Sequence, residues 1–182
     1  MKIMLDAGHG PETSGKRTLD GKMREFEFNN RVVQLVKKKL EECGAIVLLS
    51  HDGSSDLPIH DRTNLANKLR VAAFISIHAN AFGSTWNDAN GIETFTYTKP
   101  SAQSVLLAKE IQSSLCSITK RKNRGVKQAN FAVVRDTHMP AVLIECGFMT
   151  NKEEAALLQS ESYRLYCAKA IAFAILCWNQ KS

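Results

Sequence analysis

The sequence predicts an α/β protein, a three-layer α/β/α sandwich around a mostly parallel, mixed and twisted sheet of about six strands. Short apolar runs alternate along the chain with longer segments in which apolar residues recur every three or four positions. The short runs are apolar on both faces, as in strands of a parallel sheet that helices cover on both sides. Because mixed sheets are common, one strand is allowed to run antiparallel to the rest.

The N-terminal part of the chain begins with a strand and a helix. Residues 3–5 are a short apolar run, which predicts a buried strand. A polar loop over residues 10–24 follows, and its glycines are Gly10, Gly15 and Gly21. Apolar side chains over residues 27–43 form one helical stripe, and Gly44 provides a C-terminal cap.

The middle of the chain repeats this alternation of strand and helix. Residues 45–49 are an apolar run that predicts a second strand, and residues 58–69 predict a helix with proline in its first turn. Residues 72–77 predict a third strand. A loop rich in asparagine and glycine, residues 79–91, leads to a fourth strand over residues 92–97.

The C-terminal part contains two more predicted strands and three helices. Ser101 suits the N-cap of a long amphipathic helix. Residues 131–135, which are apolar up to Arg135, and the apolar run 141–144 predict the last strands. Asn151 begins a capping box for a short helix, and an amphipathic pattern over residues 163–178 predicts the final helix.

The composition is that of one globular domain, and we expect residues 1–182 to form a single domain. No stretch approaches the roughly 20 apolar residues that span a bilayer, and the first strand begins without a basic and apolar leader. We therefore expect neither a transmembrane segment nor a signal peptide in this chain. The cysteines lack Cys-x-x-Cys spacing and mostly have apolar neighbours, which favours reduced core thiols. They are Cys43, Cys116, Cys146, Cys167 and Cys177.

The formal net charge of +6 favours an acidic partner, such as nucleic acid, an anionic membrane surface or an anionic wall polymer. The densest basic run, residues 120–127, follows a predicted helix and contains no aromatic residue. Cations are favoured at a helix C-terminus. We therefore interpret this run as a solvated loop in preference to a nucleic-acid site.

Three predicted strands are each followed by a side chain that binds metals or moves protons. These are His9 after the first strand, His78 after the third and Glu145 after the last. If the strands are parallel neighbours, their C-terminal edges coincide, and two imidazoles and a carboxylate meet in one cleft. Glu25, near a helix start after a flexible loop, supplies a second carboxylate.

Two histidines and one glutamate with an open fourth position form a catalytic zinc set, which leaves the other glutamate free as a general base. Such a set hydrolyses an amide without a covalent nucleophile. Each residue also has a purely structural interpretation: His9 as a turn residue, His78 as a core residue and Glu25 as a favourable acid at a helix start. Burying Glu145 without a partner is costly, which favours a role on a metal, an arginine or a substrate.

Four further residues, an aspartate and three histidines, could also take part in metal binding or proton transfer. Asp6 either orients His9 from behind or caps a turn. The remaining histidines lie in polar surroundings and are assigned to the surface; they are His51, His60 and His138.

Five motifs appear in order along the chain. They are Asp6-Ala7-Gly8-His9-Gly10, the Glu25 element before an amphipathic helix, Ser76-Ile77-His78-Ala79-Asn80, Asn123-Arg124-Gly125-Val126-Lys127, and Val142-Leu143-Ile144-Glu145-Cys146-Gly147-Phe148. As an ordered set over nearly the whole chain, they resemble the type 3 family of zinc-dependent N-acetylmuramoyl-L-alanine amidases, which occur as bacterial autolysins and phage endolysins.

The resemblance implies one zinc ion held by His9, Glu25 and His78, with Glu145 as the catalytic acid and base. It implies hydrolysis of the amide between the lactyl group of N-acetylmuramic acid and L-alanine in peptidoglycan. Members of the family often have Glu-Lys-Asp-Leu at the second ligand, whereas this chain has Glu25-Phe26-Glu27-Phe28. Glu27 is therefore an alternative ligand to Glu25.

The resemblance also favours an anionic cell wall over nucleic acid as the partner. We assign substrate contacts to Asn80, Arg62 and Trp86, although Trp86 also suits a loop anchor. We expect a monomer without a wall-binding domain that acts extracellularly on the wall, after release by cell lysis or removal of a signal. Two alternatives stay open: another zinc hydrolase, such as a peptidase or deacetylase, and a non-catalytic module that binds wall or nucleic acid.

Overall fold

The computed structural model describes residues 1–14 and 16–181. Gly15, one of the glycines of the predicted first loop, lies outside the described residues. Within this range the strands are β1 (Lys2–Ala7), β2 (Ile46–Leu49), β3 (Phe74–Asn80), β4 (Ile92–Thr96), β5 (Asn123–Gln128) and β6 (Ala141–Phe148). The helices there are α1 (Glu25–Glu42), α2 (Ile59–Leu69), α3 (Ala102–Thr119), α4 (Ala132–Arg135), α5 (Lys152–Gln159) and α6 (Glu161–Gln180).

These strands form one sheet in the order β2-β1-β3-β6-β4-β5. The neighbours β2, β1, β3 and β6 are parallel, whereas β4 pairs antiparallel with β6 and parallel with β5. Both β4 and β5 therefore run against the other strands. The predicted mixed α/β sheet is confirmed, with two reversed strands in place of one.

Helices cover the sheet on both faces. α1, α3 and α6 pack together on one face, while α2 and α4 lie on the other. The strands serve both layers because alternate side chains point to opposite faces: Ile75 and Ile77 of β3 join the first core, and Phe74 joins the second. The predicted stripe of α1 is buried in the first core; its members include Phe28, Val32, Val36 and Leu40.

The sheet topology brings polar strand ends to one edge. β1, β3 and β6 are parallel, so their C-terminal ends coincide, and His78 lies opposite Glu145 in the register of β3 and β6. The reversed strand β4 places Glu93 opposite Glu145 on the other side. Residues far apart in sequence thus meet at this edge.

Residues 131–135, predicted as a strand, contain the single-turn helix α4. The carbonyl oxygen of Phe131 accepts hydrogen bonds from the amides of Val134 and Arg135, and both valines of the turn are buried. β-Branched valines favour strands, but a run of four apolar residues is too short for periodicity to separate a strand from a buried helical turn. The strand prediction is therefore wrong here.

Residues 120–127, interpreted as a solvated loop, instead contain most of β5 at the edge of the sheet. The backbone of β5 pairs with β4, and the side chains of Arg124 and Lys127 form ion pairs with Glu93. Charged side chains commonly protect edge strands. Because this strand lacks apolar alternation, the sequence pattern did not reveal it.

Asn151 caps α5 as predicted, since its side chain accepts a hydrogen bond from the Glu154 amide. The Glu154 carboxylate does not complete a reciprocal capping box. Its Oε2 atom accepts from the Phe148 amide at 2.7 Å, and its Oε1 atom accepts from the Gly91 amide at 2.9 Å. This buried carboxylate links the end of β6 to the loop before β4.

The cysteines are all free thiols. Cys146 and Cys167 are buried, as expected of core thiols, whereas Cys43 after α1 is exposed. Among residues 1–14 and 16–181, no helix combines the length and apolar character needed to cross a bilayer.

Candidate active site

The candidate active site lies at the C-terminal edge of β1, β3 and β6, where two histidines flank one glutamate. Glu25 Oε2 lies 3.1 Å from His9 Nε2, and Glu25 Oε1 lies 3.0 Å from His78 Nδ1. One ligand atom from each of the three residues lies within 4.8 Å of the others. The imidazole rings meet edge to face, with centroids 5.2 Å apart. Two imidazole nitrogens and a carboxylate are a donor set that suits zinc.

The loop after β1 brings His9 close to His78 because Gly8 has no side chain. A Cβ atom at position 8 would lie 2.1–2.4 Å from three atoms of the His78 ring. The residue in the left-handed region is His9 itself, with φ of +65°. Gly8 thus provides space for the His78 ring, and His9 has the left-handed backbone conformation.

Glu25 is the first residue of α1, where the helix dipole favours an anion. Only 3% of its surface is exposed, and its Oε1 atom also faces the Ala79 amide and Asn29 Nδ2, each at 3.3 Å. Burial opposes ionisation of this carboxyl group. Hydrogen bonds with His78 and His9 outweigh burial and lower the pKa of Glu25 well below its ordinary range.

Glu27, the alternative ligand, is exposed and lies outside this cluster. Its Oε2 atom accepts a hydrogen bond from the Arg24 amide at 3.2 Å, at the start of α1. Side chains two positions apart on a helix point about 200° apart, so Glu25 and Glu27 cannot both face the histidines.

Glu145 lies beside His78 within β6, and its Oε2 atom is buried without a hydrogen-bond partner among the described residues. Loss of hydration raises the pKa of Glu145 to about 8. His78 opposes this shift, while the negative charges of Glu25 and Glu93 add to it. Burial lowers the pKa of His78, but the hydrogen bond and charge of Glu25 produce a net increase. A carboxyl group that is poised near neutral pH therefore borders the histidine cluster.

Asp6 lies behind the site and is fully buried. Its Oδ1 atom accepts a hydrogen bond from Ser50 Oγ at 2.5 Å, and its Oδ2 atom accepts one from Ser76 Oγ at 2.6 Å. Ser76 Oγ in turn lies 3.0 Å from His78 Nε2. The carboxylate of Asp6 is thus connected to His78, rather than to His9 as the sequence suggests.

Arg62 is buried, and its guanidinium group binds atoms of this chain. Nε donates to the Leu57 carbonyl oxygen at 2.9 Å, and Nη2 donates to the His9 carbonyl oxygen at 2.8 Å. Nη1 donates to the Ala7 carbonyl oxygen at 2.9 Å and to Asp6 Oδ1 at 3.2 Å. These contacts support the backbone around His9. Arg62 also lines the cavity over the histidines, so its contact with substrate stays a prediction.

The other two predicted substrate residues lie on different features. Asn80 Nδ2 donates to Glu93 Oε1 at 2.7 Å, so this side chain supports the acid beside β6. Trp86 lines a groove that also includes Lys22 and Lys152, separate from the cavity that contains the histidines. Neither residue is among the described residues that line the cavity over His9 and His78, and their contacts with substrate stay a prediction.

A cavity of about 410 Å³ opens over the cluster. His9, His78 and Glu145 line it together. Two apolar segments also contribute to its lining; they are Leu57, Pro58 and Ile59 from the start of α2, and Phe131, Ala132 and Val133 from α4. The cavity thus places polar reactive groups beside apolar walls.

The sequence prediction gives no role to Ser76 and Glu93, two buried polar residues of this region, and misplaces a third, His51. Ser76 lies two positions before His78 on one strand, and that period of two is a signal that places both on one face. Glu93 interrupts an otherwise uncharged strand. His51, assigned to the surface, has a side chain only 4% exposed, with Nε2 2.8 Å from the Ala7 carbonyl oxygen, so that prediction is wrong.

The other two histidines assigned to the surface, His60 and His138, are exposed as predicted.

Comparison with known proteins identifies relatives over nearly the whole chain. The N-acetylmuramoyl-L-alanine amidase family model matches residues 3–177. N-acetylmuramoyl-L-alanine amidase LytC of Bacillus subtilis (strain 168) is 36% identical over 170 residues, which cover 93% of this chain and 34% of LytC. The endolysin of Bacillus phage SPP1 is 35% identical over 167 residues, 88% of this chain and 59% of the endolysin. This chain thus spans about a third of the length of LytC and about three fifths of the length of the endolysin.

Solved structures agree with the sequence comparison. The crystal structure of N-acetylmuramoyl-L-alanine amidase from Clostridium difficile 630 matches with a TM-score of 0.95 and 31% identity, over 100% of this chain and 97% of that one. The catalytic domain of CwlV, an amidase from Bacillus (Paenibacillus) polymyxa var. colistinus, matches with a TM-score of 0.91 and 31% identity, over 100% and 99% of the two chains. From the match over residues 3–177 and the shared fold, we conclude that this chain belongs to the N-acetylmuramoyl-L-alanine amidase family.

Proposed function

We propose that this chain uses one zinc ion to hydrolyse the amide bond between N-acetylmuramic acid and L-alanine in peptidoglycan, with residues 1–182 acting as a single catalytic domain. The observation that carries the proposal is the cluster of His9, Glu25 and His78 beside the unpaired oxygen of Glu145. Membership of the amidase family supports the choice of bond.

The donor set of His9, Glu25 and His78 supports zinc as the metal. Calcium and magnesium prefer sites built of oxygen atoms, whereas catalytic zinc sites commonly combine histidine with a carboxylate and keep a position open. A zinc ion bound there lowers the pKa of water from about 15.7 to about 7 and polarises a carbonyl oxygen.

Glu145 then acts as general base and general acid. Its free Oε2 atom accepts a proton from the water molecule that attacks the amide carbonyl, and it returns a proton to the leaving nitrogen of L-alanine. Burial raises the pKa of Glu145 to about 8 in the metal-free chain, and a cation held by the histidine cluster would lower it. General catalysis is most efficient when that pKa lies near the working pH.

The apolar walls of the cavity suit the groups around the scissile amide. The lactyl group and L-alanine each carry a methyl group, which the sides formed by Pro58 and Ile59, and by Phe131 and Val133, can bind. Such walls also exclude water from the reacting atoms, which strengthens electrostatic interactions there.

The net charge of +6 supports an anionic cell wall as the partner. The basic side chains of β5 offer little support for nucleic acid, because Arg124 and Lys127 are paired with Glu93. We infer that the protein acts as a monomer on the wall, outside the cell.

Digestion of purified peptidoglycan tests the reaction. The zinc-loaded protein is expected to release peptides with free L-alanine amino termini and to leave the glycan strands intact, as measured by mass spectrometry. A new amino group on the sugars would instead identify a deacetylase, and a cut within the stem peptide would identify a peptidase. Wall binding without any released product would overturn the catalytic proposal.

A matched pair of variants tests the ligand set. Glu25→Gln removes the buried carboxylate between the histidines and is expected to weaken zinc binding by more than about 100-fold, since loss of a supporting residue alone costs about 10- to 100-fold. Glu27→Gln changes an exposed neighbour on the same helix and is expected to keep wild-type affinity. Equal affinities of the two variants would contradict the assignment of Glu25.

A further inference from the structure

His78 has a different partner at each ring nitrogen. Nδ1 lies 3.0 Å from Glu25 Oε1, and Nε2 lies 3.0 Å from Ser76 Oγ. Ser76 and His78 are two positions apart on β3, so both side chains lie on the same face of the sheet. The strand itself therefore aligns the hydroxyl group with the ring.

The direction of these hydrogen bonds follows from the number of protons available. Ser76 Oγ lies 2.6 Å from Asp6 Oδ2, and an ionised carboxylate only accepts hydrogen bonds. The hydroxyl group has one proton, so it donates that proton to Asp6 and can only accept from His78. The Nε2 atom of His78 therefore carries a proton, which leaves Nδ1 as the atom that faces Glu25.

Asp6 is held in place by further buried partners. Its other oxygen, Oδ1, accepts from Ser50 Oγ at 2.5 Å and from Arg62 Nη1 at 3.2 Å. Asp6 and Ser76 are fully buried, and Ser50 is 2% exposed. A carboxylate fixed in this way orients the Ser76 hydroxyl group and makes its oxygen a stronger hydrogen-bond acceptor.

We propose that Ser76 is a positioning residue that selects Nδ1 of His78 as the zinc-ligating atom, with Asp6 orienting its hydroxyl group. The inference rests on the proposed zinc function. His9 faces Glu25 through Nε2, so the two histidines present opposite ring nitrogens to the metal.

Zinc affinity, measured by competition with a chromophoric chelator, tests the role of Ser76. Ser76→Ala removes the acceptor for Nε2–H and is expected to weaken zinc binding by about 10- to 100-fold. Ser104→Ala is the matched control, because Ser104 is a buried serine whose hydroxyl group accepts a hydrogen bond from the Ala141 amide at the start of β6, away from the histidines. It is expected to bind zinc close to the wild-type affinity. Equal affinities of wild type and Ser76→Ala would overturn the proposal.

Nuclear magnetic resonance of the zinc-loaded wild-type protein gives a second test that does not depend on a variant. With ¹⁵N-labelled histidine, His78 is expected to have a protonated Nε2 and a metal-bound Nδ1, and His9 is expected to have a metal-bound Nε2. A protonated Nδ1 and metal-bound Nε2 in His78 would refute the assignment.

The outcomes separate this inference from the proposed reaction. If the wild type binds zinc and releases L-alanine peptides while Ser76→Ala binds zinc equally well, only the role of Ser76 fails. If Ser76→Ala weakens zinc binding but the wild type releases no peptides, the role of Ser76 is supported and the reaction fails. A wild-type protein that binds no zinc would overturn both.

Discussion

At the scale of single residues, position 8 sets the approach of the two histidines. We predict that Gly8→Ala displaces the His78 ring, because the new methyl group would lie 2.1–2.4 Å from ring atoms. Zinc affinity should fall at least about tenfold, and the free energy of unfolding should fall by about 1–3 kcal/mol, as for other overpacked sites. Chelator competition and urea unfolding measure the two effects.

Gly44→Ala is the control for this substitution. Gly44 has φ of +80° and no atom near its missing Cβ, so alanine there costs backbone energy of about 1–2 kcal/mol without touching the site. Zinc affinity should stay at the wild-type value. If both variants bound zinc equally, the close approach at Gly8 would have no part in metal binding.

Glu145 makes stability depend on pH in the metal-free protein. Its pKa in the folded chain is about 8, above the ordinary value of 4.5, so between these values the folded state keeps a proton that the unfolded state has lost. This contribution to stability therefore declines as the pH rises through that window. We predict that Glu145→Gln, which cannot ionise, is stabilised relative to wild type, increasingly so up to about pH 8.

Urea unfolding in the presence of EDTA, at about pH 5 and about pH 8, measures this difference. At about pH 8, the free energy of unfolding of Glu145→Gln should exceed that of the wild type by more than about 1.4 kcal/mol. This is the free energy that corresponds to a pKa shift of one unit. A constant difference between the two proteins would mean that the folded chain does not raise this pKa.

The ends of the strands made His9, His78 and Glu145 predictable, because a polar side chain after a buried run stands out in a sequence. The role of Ser76 was not predictable, because a serine inside an apolar strand resembles many small core residues. The hydrogen bonds of Arg62 were not predictable either, because one sequence does not reveal which backbone carbonyl groups an arginine binds.

At the scale of secondary structure elements, β5 stabilises the acid that borders β6. Glu93 on β4 is 4% exposed, and it binds Arg124 at 2.8 Å and Lys127 from the edge strand. Burial opposes ionisation of Glu93, but these cations lower its pKa below the ordinary value. The basic residues Arg124 and Lys127 therefore neutralise the buried charge of Glu93.

We predict that Arg124→Ala destabilises the protein by about 1–3 kcal/mol, because it removes a charged hydrogen bond from a buried carboxylate. Lys122→Ala removes an exposed cation from the same run and should change stability by less than about 0.5 kcal/mol. Urea unfolding compares the variants. Equal stabilities would contradict the structural role of Arg124, and the run would again be a candidate for binding an external anion.

Helices and strands were predictable from the sequence where their apolar residues recur with a regular period. α1 was predictable because its apolar residues recur on one face over 18 residues, and because a glycine follows the helix. β5 carries two cations, a glycine and polar residues, and its identity as a strand comes only from backbone pairing with β4. α4 is a single turn whose valines suit either state. Tertiary contacts decide such segments, and one sequence does not contain them.

At the scale of the whole molecule, the predicted layers and the convergence at one sheet edge follow from physical rules. Parallel strands share an edge for their C-terminal ends, so alternating strands and helices were enough to bring His9, His78 and Glu145 together. The strand order was not predictable from the sequence. The position of Glu93 beside Glu145 depends on that order and was therefore not predictable either. That order depends on how the helices pack on both faces.

The central position of β6 has a consequence for synthesis on the ribosome. β6 lies between β3 and β4, yet it is the last of the described strands to be made. A nascent chain that ends before residue 141 contains β2-β1-β3 and β4-β5 as two pieces with no strand to join them. It also contains His9, Glu25 and His78 but lacks Glu145. The unfinished chain therefore has every proposed metal ligand and lacks the proposed base, so the proposed set of four residues is complete only after the central strand has been made.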